Sequence, residues 1–424
     1  TSCHRCFQER TPIHSPTFLT QVASPSHYGG SSWWKVKRPA WDKTSQIMLA
    51  FGDETADTPF WFNTWIFQMS SGTGLSLSPH AAAAERRGFD TALGRKLCAG
   101  VEAGLLPHLH AVLAERGGET VLESYGRGHD ENWGQPIGEV TFGADTLHDL
   151  RSVTKSIVSL LYGIALERGE VPTLDTPVLT LFPEYSDLAR DSKRMERTVE
   201  HALTMTLGME WDETGPYTGP ENSEVAMEMA PDRYRYILER PLVSEPGSRW
   251  IYSGGATALV GEILQRGTGQ KLADYAQAHL FAPLAISQFE WTVGRDGTHS
   301  PASGLRMTAP DLLKIGRLVL NNGIWEGREI VPEAWIRAAL QTIIETSEGL
   351  GYGYFWFCGQ VPVQALGGPT PWFAGFGNGG QRLWLCPKAD VAAVIYSGNY
   401  NNWNAWIPPT RVWSEIILAN LREA

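Results

Sequence analysis

Ser152 and Lys155 stand three residues apart in LRSVTKSIVSLLYGIALERG, at the mouth of an apolar run. Positions three apart share one face of a helix, so the lysine amine can reach the serine hydroxyl. In a first helical turn, unpaired backbone N–H groups and the positive end of the dipole stabilise negative charge and disfavour an ammonium. An amine kept neutral there can take the serine proton and turn the hydroxyl into a nucleophile. The competing reading is a capping serine and a lysine whose head reaches solvent. Spacing alone does not separate the two, because SSWWK repeats the pattern at Ser32 and Lys35. No apolar helix follows that second pair, and Gly29, Gly30 and Pro39 lie near it, so it is the accidental match.

Two further segments carry groups such a nucleophile would need. In EPGSRWIYSGGATALVGEILQRGTG, residues 245–269, Pro246-Gly247 makes a turn and Tyr252 leads into a helix that starts among small residues. A tyrosine placed so can point its hydroxyl into a cleft, where a lysine ammonium would favour the phenolate and let it shuttle a proton. Its rival is a core tyrosine, and VIYSGN supplies a decoy at Tyr396. In FAGFGNGGQRLWLCP the glycines let a strand approach a ligand, and a main-chain N–H there could join that of Ser152 in holding an oxyanion. Taken alone, the stretch is a Gly-rich turn before an edge strand.

The elements that must position these groups follow from periodicity. Residues 1–88 are rich in Ser, Thr, Pro, Gly and Trp and read as a loop-rich N-terminal extension wrapped over a domain. LHAVLAERGGETVLESYGRG, residues 109–128, predicts a hairpin about Gly117-Gly118. The helix after Ser152 is apolar nearly all round, which marks it as buried, and Gly169 stops it. Helical pieces and loops fill 170–294, and strand signals return in GYGYFWFCG, GGQRLWLCP and DVAAVIYSG. A last helix runs from about Thr410, with Trp413, Ile417 and Leu421 four apart. This order predicts an α/β sheet domain from 89–169 and 295–424, interrupted by a mostly helical domain at 170–294.

Composition removes several function classes. A formal net charge of -11 with no basic block argues against a nucleic-acid partner. The longest apolar runs, such as Ile157–Leu166, are too short for a bilayer, so no membrane association is expected. Five scattered cysteines read as free thiols of a reducing compartment, and no export signal is visible, which points to the cytoplasm, with a periplasmic or secreted protein as the alternative if a signal has been removed. CHRC at 3–6 lacks a second ligand pair, and His108 and His110 alternate at a strand start as structural residues, so no metal is expected. The zinc-protease, P-loop and G-x-S-x-G patterns do not occur.

In this order along the chain, SVTK, PGSRWIYSGG and GNGGQRLWLCP resemble the serine β-lactamase and penicillin-binding-protein superfamily, and within it the branch of class C-like esterases and 6-aminohexanoate-dimer hydrolases. The resemblance covers residues 90–424 and includes LTMTLGMEW and ASGLRMTAPDLLKIGRLVLNNG. It implies a β-lactamase/transpeptidase-like fold, an antiparallel sheet flanked by helices. It further implies Ser152 as nucleophile, Lys155 as base, Tyr252 as proton relay, an oxyanion hole from the backbone of Ser152 and Asn378, and Trp211 near the substrate. No cofactor is implied, and the partner is a small ester or amide. Two departures stand out. Gly254 replaces the Asn or Ser that usually sits two places after the tyrosine, and the Lys-Thr-Gly or His-x-Gly of true β-lactamases and transpeptidases is missing. Loss of that cation, which helps bind a substrate carboxylate, shifts the expectation from β-lactam or D-alanyl peptide cleavage to esters and small linear amides. A non-catalytic binding module on the same fold is the reading from another class.

Overall fold

The computed structural model describes residues 75–422. Its centre is an antiparallel sheet of nine strands: β1 (Ser76–Leu77), β2 (Leu109–Arg116), β3 (Glu119–Tyr125), β4 (Ile344–Glu345), β5 (Gly351–Tyr352), β6 (Phe357–Val363), β7 (Gly368–Gly377), β8 (Gln381–Cys386) and β9 (Val391–Ser397). They lie in the order β1-β3-β2-β9-β8-β7-β6-β5-β4. The two chain ends of the sheet meet where β9 pairs with β2, Val394 opposite Leu113. The hairpin expected at 109–128 is β2 and β3, and its Gly117-Gly118 turn has both residues at positive φ, 60° and 73°, which glycine adopts without a Cβ penalty. Residues 76–88, assigned to the extension from composition, add the edge strand β1 and a short helix, Ala81–Arg86. Ser32, Lys35, Cys3 and Cys6 lie outside the described residues.

Helix α1 (Val153–Glu167) runs through the interior, with Val153, Ile157, Val158, Leu160 and Leu161 at 0 % exposure. An all-round apolar surface needs neighbours on every side. The sheet supplies one at β7, where a β-carbon on Gly375 would lie 2.9 Å from Ser156 Oγ. On another side Trp335 presses so close that a β-carbon on Gly163 would lie 2.2 Å from its ring. Each buried Val, Leu or Ile of such a helix contributes about 1.5–3 kcal/mol through burial. The helix ends where expected, with Gly169 at φ 66°.

Three other helices matter for the site. Asn222 caps α2 (Ser223–Met229) by accepting from the N–H groups of Glu224 and Val225. Ser253 caps α3 (Gly254–Thr268) by accepting from Ala256 N at 3.0 Å, which fixes the entry of the chain one residue after Tyr252. α4 (Ala309–Leu320) covers the sheet, and a β-carbon on its Gly316 would sit 3.0 Å from Leu383 of β8. The last helix begins at Ile407, three residues before the expected start, and widens to a π-helical turn at Val412–Ile417. Its Trp413 stacks on Trp384 of β8 at 5.3 Å between ring centres, and Leu421 lies beyond it, bridged to Phe89. No helix of the described residues is long and apolar enough to cross a membrane. Cys98, Cys358 and Cys386 are free thiols.

Candidate active site

Ser152 immediately precedes α1, yet its side chain makes no capping hydrogen bond. The hydroxyl instead lies 3.0 Å from Lys155 Nζ. Lys155 does not reach solvent either: it is 1 % exposed, and its amine also donates to the carbonyl of Ala302 at 2.9 Å. Both halves of the capping-and-snorkelling reading therefore fail. Tyr252 is brought in from the start of α3, its ring centre 4.9 Å from Lys155 Nζ, and its hydroxyl is hydrogen-bonded with Ser152. Three residues from two distant segments converge, as the site requires.

The decoy tyrosine behaves as a core residue. Tyr396 is 1 % exposed, and its hydroxyl lies 3.3 Å from the carbonyls of Met307 and Thr308.

Electrostatics corrects one expectation. Burial pushes the Tyr252 phenol well above its ordinary range, and the carboxylates of Glu213 and Glu224 push further in that direction, against the opposing pull of the Ser152 hydrogen bond and the Arg382 charge. The phenolate expected beside a lysine ammonium is therefore disfavoured, and Tyr252 is a proton-bearing group.

The end of β7 lies beside the chain that leads into Ser152. β6 begins at Phe357 opposite Ala374, so the β7 residues after Ala374 have no β6 partner on that edge. They close instead on the approach to α1, where a β-carbon on Gly377 would lie 2.4 Å from the Leu150 carbonyl and 3.2 Å from Arg151 Cβ. Only glycine permits this approach. Asn378 opens the following turn, and its side chain is tied to Asn401, accepting from the Asn401 N–H at 3.0 Å. β8, read in isolation as an edge strand, is interior, between β9 and β7.

Trp211 is 7 % exposed and packs against the first turn of α3; its indole N–H donates to Glu213 Oε1. Glu213 Oε1 also accepts from the Gly254 N–H, and its Oε2 accepts from the Tyr217 hydroxyl at 2.8 Å. Burial, with the nearby Glu224 carboxylate adding to it, pushes the Glu213 carboxyl up to about 7, against the pull of Lys155.

Arg151, the residue before Ser152, is held at φ 48°. Its guanidinium donates to Glu131 at 2.8 Å, pairs with Asp149 at 3.1 Å and lies 4.8 Å over the ring of Tyr400. A strained, over-determined residue at this point fixes the direction in which Ser152 leaves the chain.

Among the described residues, His110, Asp130 and His148 have ligand atoms within 4.8 Å of one another. The two imidazoles share a hydrogen bond, and Asp130 Oδ1 lies 3.5 Å from His148 Nε2. His148 Nδ1 donates to the Asp149 carbonyl at 3.0 Å, which leaves Nε2 to accept from His110 Nδ1 at 2.9 Å. Asp130 accepts from the Tyr400 hydroxyl at 2.8 Å.

The family described as Beta-lactamase matches residues 109–405, a span that holds Ser152, Lys155 and Tyr252. The chain belongs to the Beta-lactamase family. It is a family of serine hydrolases. The 6-aminohexanoate-dimer hydrolase of Paenarthrobacter ureafaciens is 25 % identical over 326 residues, 72 % of this chain and 74 % of that protein. Esterase EstB of Burkholderia gladioli is 32 % identical over 167 residues, 37 % of this chain and 40 % of its own length. In fold, the chain is similar to a penicillin-binding-protein homologue from Caulobacter crescentus, with a TM-score of 0.57 and 18 % identity over 81 % of this chain and all of that one.

In this Beta-lactamase family member, sequence reasoning passed over Glu213, Glu224 and Arg382. Arg382 places a buried guanidinium near Tyr252, donating to the carbonyls of Gly377 at 3.1 Å and Gln381 at 2.7 Å. It brings a cation to a site whose Lys-Thr-Gly is missing, from β8 rather than from the motif position. The signal was present in GGQR, directly after the glycine turn, but a lone arginine in an apolar strand carries no local mark of its neighbours.

Proposed function

We propose that this protein cleaves ester or small linear amide bonds through an acyl-enzyme on Ser152. The observation that carries the reading is the 3.0 Å contact between Lys155 Nζ and a Ser152 hydroxyl that caps nothing. Lys155 takes the Ser152 proton as Oγ attacks the carbonyl carbon. The carbonyl π pair moves to oxygen, where the backbone N–H groups of Ser152 and of Asn378 at the end of β7 hold it. The bond to the leaving atom then breaks, and that atom receives the proton of Tyr252, which Lys155 restores. Water repeats the sequence on the acyl-enzyme.

Names of the relatives support this chemistry, since they include a 6-aminohexanoate-dimer hydrolase and an esterase. An aromatic wall supports an apolar acyl or alkyl portion. It runs from Tyr252 through Trp250, Tyr352 and Phe357 to Phe376, with successive ring centres 4.5–5.8 Å apart. Trp211, with its indole N–H committed to Glu213, would act on the substrate through Glu213 and the α3 entry.

The test is Ser152→Ala with a panel of short-chain esters, linear amides and nitrocefin, together with intact-mass analysis after a serine-reactive phosphonate. Turnover of esters or linear amides that vanishes in the variant, with a single adduct on Ser152, is expected. Full activity in Ser152→Ala would sink the assignment, and wild-type protein that neither turns over nor takes an adduct would favour a binding module.

A further inference from the structure

Gly254 stands where the resemblance predicts an Asn or Ser, and the structure fills that place from another element. A β-carbon on Gly254 would lie 2.6 Å from Glu224 Oε2 and 2.8 Å from its Cδ. Glu224, on the first turn of α2, is 3 % exposed. Its Oε1 accepts from Ser303 Oγ at 2.7 Å, while Oε2 is buried with no hydrogen-bond partner among the described residues. An orphaned carboxylate oxygen in the interior is costly unless a donor reaches it during the working cycle.

A donor is linked to Glu224 through residues 302 and 303. Lys155 Nζ has Ser152 Oγ and the Ala302 carbonyl as partners, and Ser303, the next residue, is the one bonded to Glu224. When the Ser152 proton arrives, the amine becomes an ammonium with three hydrogens, and one of them lacks a partner. Glu213 approaches Gly254 from its backbone side through the Gly254 N–H and feels the Lys155 charge directly. Two carboxyls thus converge on one glycine, and one of them feels the charge of Lys155.

We propose that Glu224, supported by Glu213, is the counter-ion of the Lys155 ammonium formed during acylation, in place of the polar side chain that Gly254 lacks. The role rests on the acyl-enzyme reading above. Atoms balance without another reactant: the proton leaves Ser152 Oγ as its bond to carbon forms, the amine lone pair becomes the N–H bond, and the new positive charge is neutralised by a carboxylate already in place. In a site of low dielectric that neutralisation lowers the barrier to proton transfer. Glu224 touches no substrate atom in this scheme and is a positioning residue for Lys155.

Glu224→Gln keeps the shape and removes the charge. It is expected to lower kcat, and the rate at which a phosphonate labels Ser152, by at least about tenfold, with KM within about twofold of wild type. The paired variant Glu224→Ala/Gly254→Asn returns an amide to the vacated position and should recover most of the labelling rate that Glu224→Ala alone loses. A merely structural glutamate would not be rescued by an asparagine on a different helix. Unchanged rates in Glu224→Gln, or a paired variant no faster than Glu224→Ala, overturn the proposal. Phosphonate labelling of the wild type with an unchanged rate in Glu224→Gln removes the counter-ion role alone, whereas a wild type inert to phosphonate removes the acyl-enzyme reading and the counter-ion with it.

Discussion

Trp211 rests against Gly255, so close that a β-carbon on the glycine would lie 2.5 Å from its ring. With Gly254 beside it, the glycine pair lets the loop carrying Trp211 and Glu213 lie on the first turn of α3. Gly255→Ala would push the indole away and carry Glu213 with it. We expect a stability loss of about 1–3 kcal/mol in urea denaturation together with a fall in kcat. Wild-type values for both would mean that the loop is not held by this contact.

Tyr252 bears a proton through the neutral range, held on by burial and by Glu213. Tyr252→Phe should therefore lower amide turnover by about 10²-fold or more, and affect a nitrophenyl ester much less, because nitrophenolate leaves without a proton. Equal losses on both substrates would assign the tyrosine to another step. Phenolate absorbance rising from this residue near pH 8 would contradict its protonated state.

Lys155→Met removes the amine and leaves the packing. A loss of about 10²–10⁴-fold in kcat is expected. The unfolding midpoint should stay at or above that of wild type, since a buried polar amine is replaced by an apolar chain of similar length. A variant that turns over normally would make Lys155 structural.

Stability should bend with pH in two opposed ways. The Glu213 carboxyl is raised in the fold from 4.5 to about 7, so its contribution is fully present below pH 4.5 and is lost as pH rises through about 7. His110 and His148 are each lowered from 6.5 to about 3, chiefly by burial, so their contribution is present above 6.5 and is lost as pH falls toward 3. Thermal unfolding across pH 3–9 should show a maximum between these limits, and Glu213→Gln should flatten its alkaline side. An alkaline side that keeps its slope in that variant would rule out Glu213 as the cause.

Much of the fold was written in local pattern. The hairpin about Gly117-Gly118, the buried helix ended by Gly169 and the strands β8 and β9 follow from periodicity and turn chemistry, which act over a few residues. The final helix was legible as a helix, but its start at Ile407 and its widened turn depend on Trp413 meeting Trp384, a contact across the molecule. β1 at Ser76–Leu77 was hidden for the same reason, since two residues become a strand only by pairing with β3.

By itself the sequence put a serine and a lysine three apart at the start of a buried helix, a spacing that lets one reach the other. It also named Tyr252 over Tyr396 through the order of motifs along the chain. Only the tertiary structure decided that Tyr252 keeps its proton and which side chains surround the three residues. Glu213, Glu224 and Arg382 reach the site from a loop, a separate helix and the middle of the sheet, and nothing in their own neighbourhoods of the chain marks them. Charge acts through space while sequence pattern acts along the chain, so Lys155 and Tyr252 were legible from their motifs and the charged groups around them were not.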